Sequence, residues 1–175
     1  MKRVFTLVAL TLVAAVSISV SAQSSKIVGK WNSSAGSQTA MLDAMGAEIE
    51  KSVSTMTFNS DGTYVTYTYT KANVNAMGIG MYMFIEANDI GTWKYCDNSI
   101  SMVSKGLELI NFDIKFDAPE MNAMIGDIKT SMKEMMNQGV GLEVVYVIES
   151  MTDNQIEMSF PNEYLPIDFT LTRIK

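Results

Sequence analysis

A succession of hairpins leaves this chain few folds to choose from. In TMTFNSDGTYVTYTYT (residues 55–70), Met56 and Phe58 alternate with threonines. Asn59-Ser60-Asp61-Gly62 then supplies turn chemistry, and β-branched and aromatic residues resume beyond it. IGTWKYCDNSISMV (90–103) repeats the plan, with Trp93 and Tyr95 on one face, Asp97-Asn98 at the turn and Ile100 and Met102 on the return. In 107–116, Ile110, Phe112, Ile114 and Phe116 alternate with Asn111, Asp113 and Lys115. In 142–160, Thr152-Asp153-Asn154 separates two further alternating runs, and Phe169, Leu171 and Arg173 share a side of the last one.

Segments 27–33, 55–59, 63–70, 81–86, 90–95, 99–103, 107–116, 142–150, 155–160 and 167–174 read as eight to ten strands. Consecutive hairpins of this kind predict a mainly β fold, an antiparallel up-and-down meander. Closure into a barrel is the simplest way to remove its edges. Two stretches depart from period two. In 118–138, Met121, Met124, Ile125, Ile128, Met132, Met135 and Met136 fall on one helical face, with Asp117 and Glu120 at N-cap and N3 spacing and Gly139 as the stop. In 38–53, Leu42, Met45, Ile49 and Val53 have helical spacing opposite Glu48, Glu50 and Lys51. Two inserted amphipathic helices are therefore expected, each laid on the barrel or across a mouth.

The start of the chain reads as an address. Lys2 and Arg3 precede an apolar run that closes in Val20-Ser21-Ala22, the pattern of a secretory signal peptide cleaved after residue 22. That leaves 23–175 as one domain, exported to the periplasm or the extracellular space and without stable membrane insertion after cleavage. The leader contains no cysteine, so lipid anchoring there is excluded; the only cysteine is Cys96, which leaves no intramolecular disulfide. With 13 basic against 19 acidic residues the net charge is −6, and losing Lys2 and Arg3 makes the remainder more acidic still. Such a surface repels phosphate backbones and anionic lipid, so nucleic acid is not an expected partner.

Histidine is absent altogether. That removes Ser-His-Asp and Cys-His nucleophile arrangements, His-ligated zinc and the commonest general base. No Asp-x-Asp-x-Asp-Gly loop offers calcium a site. Glu86, Asp89, Asp97 and Asp113 read as scattered over turns and outward faces, with no catalytic pairing. Neither catalytic residues, nor a metal, nor a cofactor is expected.

The pieces GKW (29–31), TFNSDGTY (57–64), GTWKY (91–95), NSISM (98–102) and DFTLTR (168–173), in this order, resemble the lipocalin or calycin superfamily. More narrowly, they are similar to its small exported bacterial members. The resemblance implies that Gly29, Trp31 and Arg173 form a structural floor, with the arginine lying across the indole under the closed end. It also implies a small apolar or amphipathic ligand held in the barrel by a non-enzymatic protein. Tyr67, Tyr69, Met83 and Trp93 are the candidate inward, ligand-binding residues. The alternative is a solid barrel, a structural or protein-interaction module of the cell envelope. Of the 15 methionines, eight fall in 77–83 and 121–136, and they suit core filling, an adaptable pocket or surface, or a soft-metal site lacking His and Cys.

Overall fold

The computed structural model describes residues 23–34, 47–76, 79–160 and 167–175. The expected leader, residues 38–46 of the first expected helix, Met77 and the side chains of Met135 and Met136 lie outside that description. Eight strands follow one another: β1 (Gly29–Ser33), β2 (Ala47–Phe58), β3 (Thr63–Ala76), β4 (Ile79–Cys96), β5 (Ser99–Phe116), β6 (Glu143–Met151), β7 (Gln155–Phe160) and β8 (Ile167–Arg173). A 3-10 helix (Pro119–Met124) and helix α1 (Ile125–Gln138) lie between β5 and β6. Each strand pairs antiparallel with its sequence neighbour. β1 also pairs with β8, which closes the meander into a barrel-like ring.

Ten expected segments become eight strands because two pairs fuse. Segments 81–86 and 90–95 both belong to β4, and 99–103 and 107–116 both belong to β5. Ala87-Asn88-Asp89 had broken the apolar alternation in β4. In β5, register shifts opposite Glu86/Ala87 and Ile90/Gly91 leave Ile110 and Lys105 as extra residues, and each bulge resets the period.

The helix expected over 38–53 is corrected in its described part: residues 47–53 begin β2. A bulge between Ile49 and Lys51 lies in that stretch and puts Ile49 and Val53 on opposite faces of the sheet. Their spacing of four therefore imitated a helix. The second helix is present, but Asp117 does not cap it. Ala118 occupies the cap position without a side-chain bond, in the extended conformation that the following Pro119 favours. Asp117 instead donates its backbone N–H to the Gly80 carbonyl at 3.0 Å.

The ring is uneven. β4 and β5 run for 18 residues each, while β1, β7 and β8 have 5, 6 and 7. β1 pairs with β2 only as far as Ser54, and β6 pairs with β5 only as far as Val103. Beyond those points β2–β5 continue as a four-stranded blade. The chain leaves the blade at Phe116 and must return to Glu143 beside Val103, some 13 residues back along β5, or about 40 Å at 3.3 Å per residue. A 14-residue helix and a six-residue 3-10 helix cover about 33 Å of that return. This accounts for α1 packing along β5, where Lys129 lies over the Phe112 ring at 5.9 Å.

At the short end of the ring the interior is packed. Ile27, Trp31, Met56, Phe58, Tyr64, Trp93, Ile100, Met102, Ile148, Ile156, Met158, Phe169 and Leu171 form one buried cluster. Residues 23–27 form a helical turn that brings Ile27 into this cluster, fully buried, below β1. The Trp31 indole N–H donates to the Ile27 carbonyl at 2.8 Å. Arg173 pairs with Trp31 across the β1–β8 seam, its guanidinium 4.1 Å from the indole centroid. It donates to the carbonyls of Asp153 at 2.6 Å, Val28 at 3.0 Å and Lys26. Gly29 has φ +140°, and a Cβ there would collide with the guanidinium. The glycine of GKW thus makes room for the arginine that covers the tryptophan.

Candidate inner-wall site

Above the packed floor, the inward side chains change character. β3 and β4 pair without a register shift from Thr63↔Thr92 to Ala76↔Ile79, so side-chain parity carries from one strand to the next. Tyr64 belongs to the interior cluster. Thr66, Thr68 and Thr70 on β3 therefore face inward, as do Gly91, Asp89, Ala87 and Ile85 on β4. Across the β2–β3 register Ser52 and Ser54 join them, and across the β4–β5 register Ser104, Leu107 and Leu109 do. Small hydroxyl and aliphatic side chains thus form a band where the ring opens into the blade. Ser52 and Thr70 hydrogen-bond within it at 3.3 Å.

Asp89 is the charged member of this band. Its two carboxylate oxygens accept from the Tyr64 hydroxyl at 2.8 Å and the Ser104 hydroxyl at 2.7 Å. Tyr64 is held in place by its cross-strand partner Gly91: a Cβ at that glycine would collide with the Val103 carbonyl and press on the tyrosine ring. The absent side chain lets the ring lie over β4 and reach along it to the carboxylate. Burial, and then the hydrogen bond to Asp89, push the Tyr64 hydroxyl well above its ordinary value. Tyr146, inward on β6, is raised by burial and then by the charge of Asp89. It also stacks edge-on against Phe169 at 5.2 Å. Asp89 itself is half-buried.

Leu107 is the register partner of Asp89, and it also lines a cleft of 180 Å³ between β5 and α1, together with Leu109, Lys133 and Asn137. One wall of the cleft is aliphatic, with Leu107 next to Asp89 across the β4–β5 register, and the other is the Lys133 and Asn137 side of the helix. A wider opening of 470 Å³ lies near β7 and β8, lined by Ser34, Glu149, Glu157, Met158, Asp168, Phe169 and Thr170. There Glu149 and Glu157 accept bonds from Ser159 at 2.6 Å and Ser150 at 2.8 Å, beside an apolar part formed by Met158 and Phe169.

The candidate binding residues do not converge. Tyr67 and Tyr69 have the opposite parity to Tyr64 and stand on the outer face, a correction to the inward position expected of them. Tyr67 donates to Glu86 at 2.9 Å, whereas Tyr69 packs edge-on against Phe84 at 5.2 Å beneath the Lys51 ammonium. Met83 and Trp93 do face inward, but ten residues apart on β4, about 33 Å. Trp93 is part of the floor, edge-on to Phe58 at 5.1 Å and donating to the Asn59 carbonyl at 3.1 Å. Gly29, Trp31 and Arg173 lie at that same closed end.

Asp89 is the residue that sequence reasoning placed wrongly, among outward acids. Its signal was parity: Asp89, Gly91 and Trp93 alternate on one strand, a link lost when β4 was read as two segments. Asp97, by contrast, is in the turn, where Asp97 and Asn98 adopt φ of 48° and 60°. Among the described residues, no group of three or more His, Cys, Asp or Glu side chains is arranged to hold a metal ion, and no helix is long and apolar enough to cross a membrane. Of the helical methionines with described side chains, Met121 and Met132 are half-buried and Met124 is exposed, while Met56, Met102 and Met158 fill the ring. Comparison with protein-family models gives no match, and comparison with curated proteins gives none either.

Proposed function

We propose that this is a lipocalin-like, non-enzymatic binding protein, exported by its leader, which takes up a small amphipathic molecule at the inner wall where the ring opens beneath α1. The observation that carries the reading is the inward Asp89 with its two fixed hydroxyl donors, set beside the aliphatic Leu107–Leu109 wall of the cleft. Small-molecule sites combine an apolar lining with a few fixed polar groups that orient the ligand. The packed floor of Trp31, Arg173 and Gly29 supports the same reading, because it closes one end and leaves the other for the ligand.

Helix α1 is the roof in this reading. It covers the cleft with Lys133 and Asn137 and, among its described residues, buries none fully. Such a roof can shift to admit a ligand at small cost in packing. Native mass spectrometry of protein purified from its own host tests the proposal. The expected result is a co-purifying small molecule, or a rise in melting temperature with amphiphiles of about eight to twelve carbons that Leu109→Asp abolishes. A protein that carries nothing and is shifted by none of them would be a solid ring, and the proposal would fall.

A further inference from the structure

We infer that the ligand bears a protonated amine and that Asp89 is its anchor; the inference rests on the binding reading above and adds the chemistry of the head group. Among the described residues, the ion pairs are Lys26–Asp153 and Lys115–Asp113, both on the surface, and no lysine or arginine is paired with Asp89. The inner wall therefore holds a carboxylate whose charge is met by two neutral hydroxyls and no cation. A half-buried carboxylate with no cation partner is stabilised by any cation that reaches it. Each oxygen has one hydroxyl donor and keeps further acceptor capacity, so an ammonium with three N–H groups fits without displacing either.

The surroundings favour the same sign of charge. Inside the ring the neighbours of Asp89 are Tyr64, which donates its hydroxyl to the carboxylate, and Tyr146, which lies within reach of its charge, and neither brings a positive charge of its own. The acidic chain, at net charge −6, raises the local concentration of cations at its mouth. Lys133 is the competing anchor, for a carboxylate head group. It is an exposed side chain on the roof, and ordering it costs rotamer freedom, whereas Asp89 is already fixed by two hydrogen bonds. The apolar part of the molecule then runs from Asp89 along Leu107 and Leu109. The cleft volume of 180 Å³ suits a short alkyl or aryl chain.

The test is a matched series: octylamine, octanol and octanoate titrated by calorimetry at pH 7 into protein purified from its own host and stripped of any co-purifying molecule. The amine should bind about tenfold or more tightly than the alcohol, and the octanoate least well. Asp89→Asn should bring the amine to about the level of the alcohol measured in the same variant. Ser104→Ala, which removes one donor from the carboxylate without changing charge, should weaken the amine by a smaller factor. Because the ligand series reads the unmodified protein first, a variant that fails to fold does not leave the inference undecided. Equal binding of all three ligands overturns the amine while the binding reading stands. Tightest binding of octanoate, lost in Lys133→Ala, overturns it in favour of the roof lysine. No binding by any of the three removes the binding reading and the inference together.

Discussion

Gly29 and Arg173 act as one unit, and mutagenesis can show it. Gly29→Ala meets two penalties, the φ of +140° and the collision with the guanidinium, so it should destabilise the protein by about 1–3 kcal/mol in urea unfolding. In an Arg173→Ala background the collision is gone and only the backbone strain remains. The cost of Gly29→Ala should then be visibly smaller, and strict additivity would refute the contact. Tyr64 gives a second residue-level test. Its hydroxyl titrates higher in the folded protein than its ordinary 10.0, so the folded state binds more protons than the unfolded state once the pH passes 10. Stability should be flat below that point for this group and fall as the pH rises above it. Tyr64→Phe should unfold with a shallower pH dependence over pH 10–11.5; identical slopes would mean that the hydroxyl does not carry the effect.

At the scale of elements, legibility followed the inward side chains. β7 and β8 were readable because Ile156, Met158, Phe169 and Leu171 alternate strictly with polar residues and are buried. β4 was read as two strands, and Asp89 as an outward acid, because the site's own polar residues interrupt the alternation that marks a strand. The bulge at Ile49/Lys51 disguised the start of β2 as a helix. The floor was legible through the resemblance carried by GKW and DFTLTR, which implied the contact between Trp31 and Arg173 without any appeal to periodicity. Helix α1 was legible as a helix but not in its packing, since amphipathic spacing does not tell how deeply a face is buried. Met132 is only half-buried, so Met132→Ala should cost less than about 1 kcal/mol, against about 2–5 kcal/mol for Ile156→Ala in the core. In native-state hydrogen exchange the amides of 125–138 should exchange well before those of β3 and β4. Equal protection would mean that the roof is part of the core and does not move.

At the scale of the whole molecule, the ring is a long sheet closed by a short seam. β3 and β4 share fourteen register pairs, whereas β1 and β8 share three: Trp31↔Arg173, Asn32↔Thr172 and Ser33↔Leu171. Closure joins residues some 140 positions apart in sequence, and that loop-closure entropy is not repaid by many hydrogen bonds. The side chains at the seam repay it. Leu171 is fully buried in the core, and Arg173 ties the helical turn of residues 23–27 to the last strand. Ending the chain at Thr170 removes every pair of the seam together with these contacts, and it uncovers the Trp31 ring. The truncated protein should lose its cooperative thermal transition and bind the dye ANS, while far-UV circular dichroism keeps most of its β signal from β2–β5. A cooperative transition near the original midpoint would mean that the blade alone defines the folded state. The ring would then be incidental, and the closed floor that leaves the opposite end for a ligand would have to be abandoned with it.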